Sequence, residues 1–484
     1  MDNAGITVLG LGPGHPGLLT RQAWQVIEAC QEIYVRTRKH PVVDSLPKNI
    51  QVFSFDDFYD AEQTFADVYE KIVQKVLELG QRPQGVVYAV PGHPYVAEAT
   101  SPEIIRRARL EHISVRVVEG LSFLEPAFTA LELDPYPQLA LVDALELVAC
   151  HVPSFPTSFP ALIAQIHSQA VAADLKLVLT ALYPDEYPVK LLHAAGTDKQ
   201  RIESLALYEI DRSPYIGLLT ALYLPPLAAE TSFESFLEVV AHLRAPEGCP
   251  WDREQTHQTL RADLLEETYE ALAALDAGDP EGLREELGDL LLLIFLHTQI
   301  ASDNGDFTMV DVLRGINTKI VYRHPHVFGD FHAADAGAVL KNWERLKADE
   351  RASKGKSEAS LLDGVSLALP ALLQAEQYQK RARHVGFDWK DIRGVREKLE
   401  EELHEVDAAT RGAELAAEIG DLLFSVVNLA RWHHLDAESA LREANARFYK
   451  RFSSIEAAAR VQGRSLTDMS LDEMEALWQK AKKS

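Results

Sequence analysis

A set of five carboxylates that occurs twice constrains this chain more than any other feature. The first set spans the motifs LLEETYE and EELGD and consists of Glu266, Glu267, Glu270, Glu286 and Asp289. The second set consists of Glu401, Glu402, Glu405, Glu418 and Asp421. Because a helix advances about 100° per residue, Glu266, Glu267 and Glu270 fall within about one third of its circumference. Two antiparallel helices joined by the turn at Ala277–Pro280 would direct all five acids of the first set to one region.

The second half of the chain is an internal repeat. The motif EELGDLL matches AEIGDLL, and INTKIVYRHP matches ANARFYKRFS, in the same order. The offset between matched residues changes only from 135 at Glu266 and Glu401 to 128 at Asn317 and Asn445. Apolar residues recur at three- and four-residue steps from Ser232 onward, which predicts helices and almost no strand after residue 225. Duplication of one helical unit is the simplest explanation.

The first 224 residues have a different sequence pattern. Short β-branched or apolar runs alternate there with predicted helical segments such as Thr20–Ala29 and Phe65–Leu79. The predicted strands are Ile6–Leu9, Gln84–Ala89, Ser114–Val118, Leu139–Val142 and Lys176–Thr180. This alternation predicts an α/β domain with a largely parallel sheet.

Two linker segments divide the chain into three domains. Pro225 and Pro226 interrupt any helix, and the polar stretch ASKGKSEA at 352–359 is a flexible connection. The fold class is therefore multidomain, with an α/β domain followed by two all-α units. The predicted parts are the α/β domain at 1–224, a linker at 225–231, a first helical unit at 232–351, a linker at 352–362 and a second helical unit at 363–484.

Composition excludes several classes of protein. A formal net charge of −25 would repel duplex nucleic acid, so we expect no nucleic-acid partner. Three cysteines without a CxxC motif predict neither a disulfide framework nor a zinc site. The most apolar run, Leu290–Leu296, is too short for a bilayer, and the N-terminus lacks a signal-peptide pattern. We therefore expect no membrane association and a cytoplasmic location.

Convergent carboxylates repel one another unless cations or protons neutralise them. Hard oxygen ligands select Mg²⁺, with Mn²⁺ as the alternative, and Mg²⁺ commonly takes a substrate phosphate as a further ligand. The competing interpretation is a solvated acidic helix face. The duplication of the pattern and its apolar flanks, Leu264-Leu265 and Leu290–Leu293, favour a metal site over that interpretation.

Basic and amide side chains follow each carboxylate set. They are Asn317, Lys319 and Arg323 in the first unit and Asn445, Arg447 and Arg451 in the second. In each unit the two basic residues are four apart and share a helix face, where they could hold a phosphate. Ordinary surface salt bridges are the alternative explanation.

These motifs resemble those of the MazG nucleoside triphosphate pyrophosphohydrolases over residues 232–484. GCPWDREQTH and KIVYRHPHVF look like the first half of that family, and QKRARHVGFDW and NARFYKRF look like the second half. The resemblance implies all-α dimeric bundles that use Mg²⁺ to cleave nucleoside triphosphates to monophosphates and pyrophosphate. It implies that both carboxylate sets bind metal and that the basic residues bind the triphosphate. The candidates for a general base are Glu267, Glu270, Glu402 and Glu405.

The two units differ just before their first acid. Lys398 lies three residues before Glu401 on the same helix face, whereas Asp263 stands at the equivalent place before Glu266. If Lys398 helps to bind the triphosphate, the second unit is the more competent one. We therefore expect the Glu401–Asp421 site to dominate turnover.

Three turns in the N-terminal part carry a second resemblance. GLGPGHPGLLT, YAVPGHPYVAEAT and VEGLSFLEPAF occur in the order seen in the tetrapyrrole methylase family and cover residues 4–222. The resemblance implies two α/β lobes with S-adenosylmethionine between them. The matching residues are Gly10, Gly12, Pro13, Gly14, Gly92, His93, Pro94 and Ser122. Many members carry an acidic residue where this chain has His93, so an active methylase, a regulatory cofactor domain and a degenerate scaffold all stay open.

The leading hypothesis is a homodimeric, Mg²⁺-dependent enzyme that hydrolyses nucleoside triphosphates and removes unwanted nucleotides, with an appended methylase-like domain. One alternative is an S-adenosylmethionine-dependent methyltransferase whose helical units serve dimerisation. Another is a non-enzymatic nucleotide sensor. Product analysis after incubation with Mg²⁺ and each nucleotide distinguishes the three.

Overall fold

The computed structural model describes residues 5–62, 64–333, 335–353 and 360–482. The chain forms two compact units, Met1–Val239 and Val240–Ser484. Residues 354–359 of the second predicted linker lie outside the described residues, and the finer domain boundaries stay predictions. Among the described residues, no helix has both the length and the apolar character that a membrane span requires.

A parallel five-stranded sheet forms the first lobe of the N-terminal unit. Its strands are β1 (Ile6–Gly10), β2 (Glu32–Val35), β3 (Gln51–Ser54), β4 (Val86–Val90) and β5 (Val115–Val118), in the order β3-β2-β4-β1-β5. The connecting helices are α1 (Arg21–Ala29), α2 (Asp56–Ala61), α3 (Phe65–Gly80) and α4 (Thr100–Leu110). Parallel strands need such crossovers, and their carboxyl ends therefore lie along one edge of the sheet.

The second lobe contains a mixed sheet. Its strands are β6 (Ala140–Asp143), β7 (Ala161–Ala164), β8 (Pro188–His193), β9 (Arg201–Ala206) and β10 (Thr220–Leu224), in the order β6-β7-β10-β8-β9. Its helices are α5 (Leu124–Leu131), α6 (Ala144–Leu147) and α7 (Gln169–Leu179). Only β6 and β7 are parallel. The prediction of a largely parallel sheet is thus correct for the first lobe and wrong for the second, where the short β8–β9 connection forces antiparallel pairing.

The strand predicted at Lys176–Thr180 is wrong. This segment is the end of α7, with Thr180 as its C-cap. The Ser168 side chain accepts a hydrogen bond from the Val171 amide and starts the helix. Leu175, Val178 and Leu179 are buried on one face, so the apolar run has a helical rather than an alternating period.

The C-terminal unit is helical, and β10 is the last strand among the described residues. The helices of its first half are α8 (Phe233–Arg244), which spans the division between units, α9 (Pro250–Glu254), α10 (Arg261–Ala277), α11 (Pro280–Asn304), α12 (Met309–Arg323), α13 (Pro325–Phe328) and α14 (Ala336–Ser353). Those of its second half are α15 (Ala371–His384), α16 (Ile392–Ala408), α17 (Ala413–Trp432), α18 (Ala437–Val461) and α19 (Leu471–Ala481). The expectation of two all-α units after an α/β domain is confirmed.

The hairpin that carries the first carboxylate set forms as predicted. Gly278 ends α10 with a φ of 64°, a left-handed conformation that glycine adopts without strain. The Asp279 side chain then accepts hydrogen bonds from the Glu281 and Gly282 amides, and Pro280 occupies the first position of α11. These local signals place α10 and α11 side by side.

Candidate metal and nucleotide sites

Three acids of the first set converge. Glu267 and Glu270 on α10 and Glu286 on α11 each offer a carboxylate oxygen, and the three oxygens lie within 4.8 Å of one another. The charge of Asp289 also acts on Glu267 and Glu286. These four residues therefore form the first carboxylate group.

The acids of this group perturb one another. Desolvation raises the pKa of Glu267, and the charges of Asp289 and Glu270 raise it further. Desolvation and the charge of Glu270 likewise raise the pKa of Glu286, although a hydrogen bond with Glu267 acts in the opposite direction. Raised pKa values mark repulsion that a cation would relieve.

The second carboxylate group consists of Glu402 and Glu405 on α16 and Glu418 on α17, whose oxygens also lie within 4.8 Å of one another. Glu402 is only 4% exposed. Its Oε1 accepts a hydrogen bond from Lys398 Nζ at 2.7 Å, while its Oε2 is buried without a partner. Desolvation and the charge of Glu402 raise the pKa of Glu405. This group is more buried than the first.

Lys398, which the sequence predicts to bind the triphosphate, forms ion pairs with two acids of the second set. Its Nζ also donates to Glu401 Oε1 at 2.9 Å. Hydrogen bonds to Glu402 and Glu401 raise the pKa of Lys398 above its usual range. The ammonium therefore stays charged and holds two carboxylates of α16 in place.

Four of the ten predicted metal ligands lie outside the two sets of three converging oxygens: Glu266, Asp289, Glu401 and Asp421. Glu266 and Asp421 are exposed, and Glu401 pairs with Lys398. Consecutive residues on a helix point about 100° apart, so the carboxylates of Glu266 and Glu267 cannot approach the same metal position equally well. The same holds for Glu401 and Glu402. The apolar flank does not enclose the first group either, because Leu265 is exposed.

The basic residues of the first unit are unequally available. Arg323 donates from Nη2 and Nε to Glu350 Oε2, at 2.7 and 3.1 Å, and its guanidinium lies 5.6 Å from the centre of the Trp343 ring. Both partners of this ion pair are largely buried. Asn317 and Lys319 are exposed. The best phosphate donor of the first unit is therefore already engaged by α14.

The second unit has a more open arrangement. Arg451 lies 5.5 Å from the centre of the Trp478 ring, which matches the contact of Arg323 with Trp343. Arg447 pairs with Glu443 at 3.2 Å on an exposed face, and Asn445 is also exposed. Among the described residues, no carboxylate forms an ion pair with Arg451 as Glu350 does with Arg323.

The donor sets suit a hard divalent cation. Each group offers three carboxylates at close range, and Glu402 Oε2 is a buried acceptor without a partner. Mg²⁺ and Mn²⁺ prefer such oxygen ligands. The residues present therefore fit the metal that the sequence implies.

The predicted cofactor loops lie at the carboxyl edge of the parallel sheet. Gly12 and Gly92, with φ of 71° and 70°, follow β1 and β4 and exchange two backbone hydrogen bonds of 3.2 and 2.8 Å. A Cβ on Gly10 would meet backbone atoms at 2.6 Å, so this position requires glycine. Gly12 and Gly92 therefore hold the first two loops against each other.

The remaining residues of these loops have structural contacts of their own. His93 Nδ1 accepts from the Tyr95 amide at 3.1 Å, Ser122 donates to Glu125 at 2.7 Å, and Pro94 is buried. Pro13 and Gly14 approach a loop of the second lobe at Gly196 and Thr197. The three loops are thus ordered at the place where open α/β sheets bind ligands.

Sequence reasoning missed a polar network at the same edge. Arg36 follows β2 and forms an ion pair with the buried Glu98, which also accepts from the Thr100 amide at 2.8 Å. Burial lowers the pKa of His40 to about 4, in spite of its hydrogen bond to the Gly12 backbone. No spacing rule connects these residues, because strand order brings them together.

Comparisons with known proteins agree with this architecture. The family model of Tetrapyrrole (Corrin/Porphyrin) Methylases matches residues 5–211, and the MazG nucleotide pyrophosphohydrolase domain matches residues 255–328. MazG of Thermotoga maritima, named a nucleoside triphosphate pyrophosphohydrolase/pyrophosphatase, is 45% identical over 52% of this chain and 95% of its own length. The nucleoside triphosphate pyrophosphohydrolase of Escherichia coli K12 is 43% identical over 52% of this chain and 97% of its own length.

The protein therefore combines two parts: an α/β domain of two lobes, and helices that carry a carboxylate group in each of two repeated units. YabN of Bacillus subtilis, described as an uncharacterized protein, is 42% identical over 99% of this chain and 98% of its own length. The chain belongs to the MazG family and carries a tetrapyrrole methylase domain at its N-terminus.

Proposed function

We propose that this protein hydrolyses nucleoside triphosphates to monophosphates and pyrophosphate with the help of Mg²⁺. The observation that carries the proposal is the convergence of three carboxylates within 4.8 Å in each helical unit. In the first unit Glu267, Glu270, Glu286 and the neighbouring Asp289 would hold the metal. In the second unit Glu402, Glu405 and Glu418 would hold it. A bound Mg²⁺ would neutralise phosphate charge and make water a better nucleophile.

Other side chains of the second unit have separate roles in the proposed reaction. Lys398 forms ion pairs with Glu402 and Glu401, which orients both carboxylates. Glu405 has a raised pKa and is suited to take a proton from the attacking water. Arg447 and Arg451 on α18 would neutralise those phosphates of the triphosphate that do not contact the metal. The proposed role in the cell is removal of unwanted nucleotides.

Product analysis tests this proposal. The purified full chain is incubated with Mg²⁺ or Mn²⁺ and each nucleoside triphosphate, and the expected products are pyrophosphate and monophosphate in equal amounts. Release of single phosphate would indicate a different reaction. Nucleotide binding without turnover across several divalent metals would favour a sensor.

We expect the second unit to provide most of the activity. Lys398 pairs with Glu402 of its carboxylate group, whereas the corresponding residue of the first unit is the acidic Asp263. We expect Glu418→Gln to lower kcat/KM by about 10-fold or more and the equivalent Glu286→Gln by less than about 3-fold. Steady-state kinetics with pyrophosphate detection measures both, and a larger loss from Glu286→Gln would contradict the assignment.

A homodimer is the proposed assembly. Leu287, Leu291 and Ile294 form an exposed apolar stripe on α11. Ile419, Leu423 and Val426 form the matching stripe on α17, also exposed. Apolar stripes of this kind are covered in stable helical proteins. Sedimentation equilibrium should give twice the chain mass, and a monomer at micromolar concentration would contradict this expectation.

S-adenosylmethionine is the proposed ligand of the N-terminal domain. The observation that favours it is the joined glycine loops after β1 and β4 at the carboxyl edge of the sheet. Helices and glycine-rich turns at such an edge let a ligand approach the backbone closely. We expect S-adenosylhomocysteine to bind the full chain in isothermal titration calorimetry. If it does not bind at millimolar concentration, the domain is a scaffold.

A further inference from the structure

A pair of histidines, His257 and His297, joins the two arms of the hairpin that carries the first carboxylate group. Their Nδ1 atoms are 2.9 Å apart. The ring planes differ by 12°, and the ring centroids are 5.2 Å apart. The separation of the nitrogens is a hydrogen-bond distance and is too short for rings stacked face to face. One Nδ1 therefore donates a hydrogen bond to the other.

The first carboxylate group lies between this histidine pair and the turn of the hairpin. Glu270 and Glu286 are each eight residues from Gly278 in the turn. His257 precedes Gly278 by 21 residues, and His297 follows it by 19. His257 belongs to the segment that leads into α10, and His297 lies on α11. The turn thus joins the two arms at one end, and the histidine pair joins them at the other.

The hydrogen bond limits the number of protons that the histidine pair can hold. A neutral imidazole carries one N–H, and an imidazolium carries two. With no positive charge or with one, the rings can place a single N–H between the two Nδ1 atoms. With two positive charges, both Nδ1 atoms carry a proton, and the hydrogen bond is lost. Burial and the charge of His257 lower the pKa of His297, whose Nε2 is buried without a partner.

A second contact at this end of the hairpin does not depend on histidine. Arg244 Nε on α8 donates to Asp303 on α11 at 2.8 Å. Arg244 Nη1 donates to the carbonyls of Asp252 and Gln255, which precede His257. An arginine–carboxylate pair keeps its charges in the pH range in which histidine titrates. The charged side chains on the flanking helices are the exposed Arg253, Glu254 and Arg261 and the half-buried Asp263.

The second unit differs from the first at this position. Leu429 lies eight residues after Asp421, as His297 lies eight residues after Asp289. A leucine side chain can neither form this hydrogen bond nor titrate. The effect of protons on the histidine pair is therefore specific to the first unit.

We propose that the histidine pair positions the first carboxylate group and releases it in acid. When both rings are charged, the start of α10 separates from α11, and Glu267 and Glu270 lose their position opposite Glu286. The stabilisation is complete above the ordinary histidine pKa of about 6.5 and is lost as the pH falls through the lower pKa of His297 in the folded chain. This inference rests on the proposed metal site and adds control by pH to it.

Mn²⁺ titration of the full chain by electron paramagnetic resonance tests this proposal. The second group is disabled by Glu402→Gln/Glu405→Gln, and the Mn²⁺ binding that Glu267→Gln then removes belongs to the first group. In His257→Asn, the amide takes the position of the imidazole Nδ1 and donates or accepts without titrating. We expect this variant to lose about 5-fold less Mn²⁺ affinity between about pH 7.5 and 5.5 than the chain with the intact pair, because apparent affinity follows the fraction of closed hairpin. The carboxylates titrate in both proteins, so the difference reports the histidine pair.

Two further variants serve as controls. His242→Asn makes the same substitution at an exposed histidine on α8 and should keep the full loss of affinity in acid. His257→Leu removes the hydrogen bond at every pH and should weaken Mn²⁺ binding at about pH 7.5 as well. Equal losses in acid with and without His257→Asn would overturn the inference, as would full affinity in folded His257→Leu. If His257→Asn does not fold, His297→Asn makes the same exchange on the other side of the hydrogen bond.

Hydrogen exchange without metal separates this inference from the proposed metal site. After correction for the intrinsic rate, the first turns of α10 should lose protection at about pH 5.5 in the chain with the intact pair and keep it in His257→Asn. If the first group binds no Mn²⁺ at any pH, the proposed metal site fails, and hydrogen exchange still decides the role of the histidine pair. Protection that is the same in both proteins would overturn that role.

Discussion

Glu402→Gln is expected to reduce nucleoside triphosphate hydrolysis by about 100-fold or more without unfolding the protein. Glu402 is the most buried member of the second carboxylate group, and its Oε2 has no other partner. The amide removes the negative charge and offers a poorer ligand to a divalent cation, and electrostatic stabilisation of this kind is commonly worth about 10²–10³-fold in kcat. Pyrophosphate release under saturating Mg²⁺ measures the loss.

Two control variants make this result interpretable. Glu400→Gln removes an exposed carboxylate from the same helix and should change the rate by less than about 2-fold, since exposed charges contribute little. Glu267→Gln makes the equivalent change in the first unit and should cost less than about 3-fold. The assignment fails if Glu267→Gln is the more damaging variant. Mn²⁺ titration of Glu402→Gln by electron paramagnetic resonance should show one weakened site.

Arg431→Met is expected to destabilise the C-terminal unit by about 3–5 kcal/mol, since it leaves a buried charge unpaired. Arg431 donates to both oxygens of Asp388, at 2.7 and 3.0 Å, and joins α17 to the loop after α15. Trp432 Nε1 donates to Asp388 at 3.3 Å. Tryptophan fluorescence during denaturant unfolding therefore reports on the surroundings of the Arg431–Asp388 ion pair. Both members of the pair are largely buried.

The control for this variant is an exposed ion pair of the same unit. Arg393 pairs with Asp391 at 2.6 Å on the surface, and Arg393→Met should cost less than about 1 kcal/mol. The double variant Asp388→Leu/Arg431→Met should recover part of the lost stability, because no buried charge remains unpaired. Equal effects of Arg431→Met and Arg393→Met would show that burial does not matter here.

The same pair gives the C-terminal unit an acid-sensitive element. Burial alone would raise the pKa of Asp388, but hydrogen bonds from Arg431, the Trp389 amide and Trp432 hold it below its usual range. Because the pKa is lower in the folded than in the unfolded chain, the stabilisation is complete above the ordinary value of about 3.9 and is lost as the pH falls through the folded value.

Local patterns predicted most of the helical unit. Helix α17, Ala413–Trp432, is one of the helices that the three- and four-residue apolar period predicts after residue 225, because that period is a local property of the sequence. Strand assignment was less certain, since a short apolar run such as Lys176–Thr180 fits a buried helix equally well. The order and direction of strands in the second lobe depended on distant pairings that no local pattern encodes.

By itself, the sequence determined that this chain has two carboxylate-bearing helical units after an α/β domain, because duplication, periodicity and motif spacing are readable along the chain. Only the tertiary structure decided which acids converge, that Arg323 is engaged by Glu350, and that His257 is hydrogen-bonded to His297. The physical reason is that the partners and burial of a side chain depend on residues distant in sequence. Adjacent acids such as Glu401 and Glu402 look alike in the motif, yet one pairs with Lys398 at the surface and the other is buried in the group.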